Sequence, residues 1–281
     1  MIAITGANGQ LGQATIQQLV KLVNPSGIIA IVRDAAKIDA GSGIRVRVAD
    51  YDDYTSLVIA FQGVDTLLQI SSAAYGDAAT IQEGNVVKAA VEAGVKRIVY
   101  TSTLRPAAEA AFMAGKTCWL TEAAIKNSGM DYVIFRNSMY LETIPLFIGE
   151  AMATAQIRYP GGNGAISFVG RNDIGAALAK VLSHPHIKNE VYEITGDKAW
   201  SFADIARILG EERQVTGTYD SITDASFRDE LTGYGMPPEA VDFYSSMADS
   251  IRGQEFSHTD ARWQQLLDRP TIDLRAFLSE I

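Results

Sequence analysis

Short runs rich in Ile, Val and Leu alternate with longer stretches of helical period through the first half of this 281-residue chain. Ile2 to Thr5 reads as a strand, Gln10 to Val23 as a helix and Ile28 to Arg33 as a strand. The same alternation predicts strands at Ile44 to Ala49, Thr66 to Ile70, Arg97 to Thr101 and Tyr132 to Phe135. Helices are predicted between them at Tyr54 to Phe61, Thr80 to Ala93 and Thr117 to Asn127. Gly94 and Gly129 each follow a helix, where a left-handed cap stops it before the next strand. Strands joined by helical crossovers form a parallel sheet covered by helices on both faces.

After Asn137 the rhythm changes. Tyr140 to Thr154 looks helical, the glycine-rich loop Pro160 to Gly164 interrupts, and Arg171 to Leu182 resumes as helix, with a further strand at Val191 to Thr195. Helices are predicted near Phe202 to Leu209, Ala225 to Leu231, Pro238 to Ile251 and Ile272 to Ile281. The expected fold class is therefore α/β: a Rossmann-type doubly wound parallel sheet with a smaller C-terminal α/β region that covers the substrate. Residues 1–150 form the dinucleotide-binding part, to which the chain returns at about 166–195, and 151–281 form mainly the cap.

The chemistry is concentrated where the first strand meets the first helix. Thr5-Gly6-Ala7-Asn8-Gly9-Gln10-Leu11-Gly12 spaces three glycines at intervals of three. Gly6 permits a tight turn, Gly9 lets the backbone approach a pyrophosphate, and Gly12 allows the helix to pack closely on the sheet. The helix N-terminus then offers free N–H groups and the positive end of its dipole to the phosphates. Arg33 ends the second strand, where a carboxylate would bind the ribose hydroxyls of NAD; a guanidinium there suits a 2′-phosphate, with Lys37 as a second cation. NADPH is thus expected over NADH, the alternative being that Arg33 is a solvated charge beside Asp34. Asp50 either contacts the adenine amine or caps the helix beginning near Asp53.

Composition narrows the partners. A formal charge of -9 and the lack of a basic stripe argue against nucleic acid. No apolar run reaches the roughly 18 residues of a membrane span. Met1 to Thr5 leads straight into the glycine loop without a signal-peptide pattern, so a cytoplasmic location is expected. One cysteine, Cys118, and three scattered histidines, His184, His186 and His258, point to neither a disulfide nor a metal site. The oligomeric state is not readable.

The ordered set of the glycine loop, Ile31-Val32-Arg33-Asp34, Ala49-Asp50-Tyr51, Tyr100-Thr101-Ser102, Phe135-Arg136-Asn137 and Arg171-Asn172-Asp173-Ile174 resembles the NmrA-like atypical short-chain dehydrogenase/reductases. Within that group it is most similar to bacterial NADPH-dependent quinone reductases and triphenylmethane dye reductases, which use no flavin. The resemblance implies that Asn8, Gln10 and Leu11 hold the pyrophosphate with the glycines, Arg33 the 2′-phosphate, and Asp50 with Tyr51 the adenine. It also implies that Ser71, Ser72, Thr101 and Ser102 line the ribose and nicotinamide, with Asn137 beside them.

No tyrosine has a lysine four residues later, so the usual carbonyl-reducing pair is missing. Lys116 falls near the position of the family's lysine and is either that group or an exposed helix-start lysine. An electron-poor small-molecule acceptor such as a quinone needs chiefly proximity and orientation for hydride transfer, with protons from water, and this suits a pocket without an acid. Met139, Tyr140, Ile144 and Phe147 offer apolar surface for it or pack as an amphipathic helix; Tyr140 is the expected substrate contact. Phe168 either closes the other side of the pocket or is a buried strand aromatic. Glu122 and Lys126 have the spacing of a helix-surface ion pair, Cys118 reads as packing, and Asp173 as a charge at a helix start. The two functions expected are a flavin-free reductase and, as the alternative, a cofactor-binding redox sensor without turnover.

Overall fold

The computed structural model describes residues 1–38 and 43–281. The first half runs β1 (Ile2–Ile4), α1 (Gln10–Leu19), β2 (Ile28–Val32), β3 (Arg45–Val48), α2 (Tyr54–Ala60), β4 (Thr66–Gln69), α3 (Gly76–Glu92), β5 (Arg97–Thr103), α4 (Met113–Asn127) and β6 (Asp131–Asn137). Then follow α5 (Ile144–Ile148), α6 (Ala151–Thr154), β7 (Gln156–Arg158), β8 (Ala165–Ile166), α7 (Arg171–Ser183) and β9 (Glu190–Ile194). The chain closes with β10 (Trp200–Ser201), α8 (Phe202–Arg213), β11 (Thr218–Asp220), α9 (Asp224–Gly233), α10 (Pro238–Arg252) and α11 (Leu274–Glu280).

Seven strands form one parallel sheet in the order β3-β2-β1-β4-β5-β6-β9. Alternate residues of each buried strand enter opposite cores, as the pleat requires. Ile28, Ala30 and Val32 of β2 join Ile4, Val99 and Phe135 under α1 and α7, while Ile29 and Ile31 join Ala3, Ile98 and Ile134 under α2, α3 and α4. A third core lies among the elements that follow β6, around Ile144, Ile157, Phe202, Ile205, Ile251 and Phe256; it is called the cap core below. The predicted glycine caps are present: Gly94 has φ +76°, its N–H bonds Val91 O, and Val95 N–H bonds Ala90 O, closing a Schellman motif; Gly129 has φ +80°. Arg97, buried in β5, donates to the carbonyls of Val181, Leu182, His184 and Ile187, and so satisfies the end of α7.

Two expectations change. The single helix read over Tyr140 to Thr154 is broken into α5 and α6, with Pro145 in the first turn of α5 and Gly149 at φ +48° between them. Two small pairs, β7 with β11 and β8 with β10, tie the cap together and were not predicted.

Candidate functional site

The glycine loop occupies the point where strand order reverses: β1 has β2 on one side and β4 on the other, which opens a crevice at their carboxyl ends. Gly6 sits at φ +59°, a conformation that disfavours any side chain, and Gly9 N–H closes the turn on Gly6 O at 2.9 Å. Gly9 caps α1 without a side-chain bond, so the first N–H groups of the helix are left for an external acceptor. A Cβ at Gly12 would lie 2.4 Å from Gly6 O and 2.8 Å from Ala7 Cα. Gly12 therefore lets the helix lie directly against the loop that leaves β1. Gln13 Nε2 holds Asn8 O at 2.9 Å, Gln10 is exposed, and Leu11 is buried in the core.

Arg33 stands exposed immediately after β2. The Asp34 carboxylate accepts from Ala36 N–H at 3.0 Å, and among the described residues neither Arg33 nor Lys37 enters an ion pair. Asp50 accepts from Asp52 N–H at 3.1 Å, whereas α2 is capped by Asp53 through Ser56 N–H at 3.0 Å. The capping alternative for Asp50 thus falls to Asp53. The Tyr51 hydroxyl reaches Thr5 Oγ1 at 2.5 Å and Ile70 O at 2.7 Å, which fastens its ring across the ends of β1 and β4.

A cavity of about 540 Å³ lies beyond the ends of β4, β5 and β6. Ser71, Ser72, Ser102 and Asn137 form its polar floor, and Thr101 Oγ1 holds the floor in place by accepting Ser71 N–H at 2.9 Å. The walls are apolar: Tyr75, Phe243, Phe112 and Phe256 pack in a run with centroid separations of 4.8, 5.3 and 5.8 Å. Asn137 Nδ2 lies 3.4 Å from Tyr140 Oη, while Asn137 Oδ1 is buried with no hydrogen-bond partner among the described residues. A buried unpaired oxygen in a cavity floor fits a ligand that brings a donor, such as a nicotinamide amide or a ribose hydroxyl. Tyr140 lines the cavity with the Arg171 guanidinium 4.6 Å above its ring. Burial raises its phenol, opposed by Arg171 and Asn137.

Met139 and Phe147 also line the cavity, while Ile144 is fully buried in the cap core. Phe168 is not at the cavity; it is 3% exposed and packs in the cap core against Phe147, which stands in the wall instead. Lys116 is not there either. Ala114, Thr117 and Cys118 share the inward face of α4, and at about 100° per residue the intervening Lys116 projects to solvent. Lys116→Ala should therefore change turnover by no more than about twofold, the size of an ordinary surface substitution. A rate loss above tenfold would return the lysine to the site.

Two buried carboxyls differ from the sequence reading. Glu122 is not on the surface: it is 3% exposed and receives Arg136 Nε and Nη2 at 2.9 and 2.7 Å, Lys126 Nζ at 2.9 Å and Ser102 Oγ at 2.8 Å. Burial would raise its carboxyl, but these partners outweigh it and hold it below the usual range. Glu83 was missed. It is 1% exposed, lines the cavity, and accepts from Tyr100 Oη, Thr121 Oγ1 at 2.8 Å and Ser72 N–H at 2.9 Å. Its signal was present in α3, where buried Ala79, Val86, Val87 and Ala90 place one carboxyl on an apolar stripe. The pocket is not acid-free. Cys118 is buried beside Tyr100 Oη at 3.3 Å, and burial pushes its thiol up to about 12. A thiol reagent should modify the native chain far more slowly than the unfolded one. Asp173 is buried at the start of α7, paired with Arg269 at 2.6 Å and accepting Ile272 N–H at 2.9 Å.

Strand order, glycine loop and floored cavity together define a Rossmann-type dinucleotide-binding architecture. The chain belongs to the NmrA-like family, which it matches over residues 1–256. Quinone oxidoreductase 2 of Escherichia coli (strain K12) is 37% identical over 284 residues, covering 100% of this chain and 98% of the relative. The structure of the NADPH-dependent quinone oxidoreductase from Escherichia coli in complex with NADPH superposes with a TM-score of 0.93 at 35% identity, over 100% of this chain and 99% of the other. The triphenylmethane reductase of Citrobacter sp. complexed with NADP(H) gives 0.90 at 32% identity, over 99% of each chain.

Proposed function

We propose that this protein is an NADPH-dependent, flavin-free reductase that passes hydride directly to a quinone or a similar conjugated acceptor, with no metal taking part. The observation that carries the reading is the floor of the cavity. Ser71, Ser102 and Asn137, at the carboxyl ends of β4, β5 and β6, open into a largely apolar chamber on the edge of the sheet where the glycine loop leaves β1. Relatives described as NADPH-dependent quinone oxidoreductase and triphenylmethane reductase support it.

The loop from Gly6 to Gly12 and the uncapped start of α1 hold the pyrophosphate, Arg33 the 2′-phosphate, and Asp50 and the Tyr51 ring the adenine. Ser71, Ser72 and Ser102 position the ribose and nicotinamide, with Thr101 holding Ser71 from beneath, and Asn137 Oδ1 takes a hydrogen bond that none of the described residues supplies. When bound, NADPH supplies the hydride. Tyr140, fixed by Arg171 above its ring, orients the acceptor. The aromatic run from Tyr75 to Phe256 excludes water from the reacting face.

Purified protein mixed with NADPH and a panel of quinones and cationic dyes tests the reading through loss of reduced-nicotinamide absorbance. Acceptor-dependent oxidation is expected. Arg33→Glu should weaken NADPH binding by about tenfold or more, the loss of one charged hydrogen bond at ~1.5–3 kcal/mol, with little effect on NADH. Tight NADPH binding with no acceptor consumed would overturn the reductase reading in favour of a sensor.

A further inference from the structure

Two carboxyls are buried beside this cavity, and the chain treats them in opposite ways. Glu122 is surrounded by Arg136 and Lys126. Glu83 has no cation at its carboxyl among the described residues: its partners are a phenol, a threonine hydroxyl and a backbone N–H. An unpaired buried carboxylate is costly, which favours the protonated form. Burial accordingly raises the Glu83 carboxyl above the ordinary range, with the bonds from Tyr100, Ser72 and Thr121 opposing it. Tyr100 Oη, which donates to Glu83, also lies 3.3 Å from Cys118 Sγ, and Cys118 lines the cavity too.

We propose that Glu83 is the proton donor of the cavity, handing its proton to an acceptor that has just received hydride. The inference rests on the reductase reading. Hydride carries two electrons and one hydrogen nucleus from the nicotinamide, which is oxidised, to the quinone, which is reduced and left with one negatively charged oxygen. The Glu83 O–H bond then breaks and an O–H bond forms on that oxygen. The carboxylate left behind takes a proton from water after the product departs. Glu83 lines the cavity that would hold the acceptor.

A cationic triphenylmethane dye separates the two hydride acceptors chemically. Hydride on its central carbon gives a neutral product, and no proton is required. Glu83→Gln, whose amide oxygen keeps an acceptor for Ser72 N–H, should therefore lower the ratio of quinone to dye turnover by about tenfold to a hundredfold, within or just below the usual contribution of a general acid. In the wild type, quinone turnover should fall as pH rises through the Glu83 pKa, while dye turnover should not follow it. The other titratable groups facing Glu83, Tyr100 on β5, Cys118 on α4 and Tyr51 beyond β3, are all pushed upward by burial and stay protonated through that range. The cofactor-free protein gives an independent readout: the infrared difference between wild type and Glu83→Gln at neutral pH should contain the C=O band of a protonated carboxyl. An unchanged quinone-to-dye ratio, or the absence of that band, would overturn the assignment. A wild type that reduces neither acceptor would instead overturn the reductase reading beneath it.

Discussion

Glu122→Ala is expected to lower the stability of the fold by about 3 kcal/mol, near the lower bound of the ~3–5 kcal/mol seen when one partner of a buried ion pair is removed. The lower figure follows from the partners: the side chains of Arg136 and Lys126 are 25% and 37% exposed, so water can reach the charges left behind. Ser102 Oγ also loses its acceptor, at the floor of the cavity. At about 2–4 °C per kcal/mol the melting temperature should fall by roughly 6–12 °C. The effect has a defined pH dependence. The folded pKa of Glu122 lies below its unfolded value, so its contribution is present in full above an unfolded pKa of about 4.3 and is lost as pH falls through the folded value. Denaturant titrations of wild type and variant should therefore differ most at neutral pH and converge in acid. A gap that stays constant into acid would show that packing, not charge, accounts for the loss.

Glu122 also shows how far the sequence could be read. Its spacing to Lys126 identified the pair correctly, but nothing local revealed that Arg136, fourteen residues on in the next strand, would enclose the carboxylate from the other side. The interior of the sheet was legible because strands such as β2 and β4 are buried on both faces and appear as apolar runs, whereas the edge strands β3 and β9 are partly exposed. β7, β8, β10 and β11, at two or three residues each, are too short to show any period. The break between α5 and α6 was hidden because apolar spacing continues through it, with only Pro145 and Gly149 as local warnings. For Lys116 two readings stayed open for a related reason. With α4 read as starting at Thr117 instead of Met113, the phase of its first turn, which sends Lys116 outward and Cys118 inward, could not be assigned. Glu83 escaped because a charge within a helix is ordinarily solvated, and only its place in the Ala79 to Ala90 stripe marked it as buried.

Gly12→Ala provides the sharpest test of where the phosphates bind. Its added Cβ would meet Gly6 O at 2.4 Å and Ala7 Cα at 2.8 Å, so the loop or the start of α1 must move. Overpacking of this kind costs about 1–3 kcal/mol in stability, and the displaced N–H groups should lose at least one charged hydrogen bond to phosphate, weakening NADPH by about tenfold to a hundredfold. Gly164→Ala separates the two effects. Its Cβ would meet Ile251 O at 2.1 Å, a clash at least as severe, but within the cap. Both variants should melt earlier than the wild type. Measured by nicotinamide fluorescence well below either melting point, only Gly12→Ala should bind NADPH weakly. Wild-type affinity in Gly12→Ala would remove the glycine loop as the pyrophosphate site, and equal losses in both variants would mean that binding follows global stability instead of loop geometry.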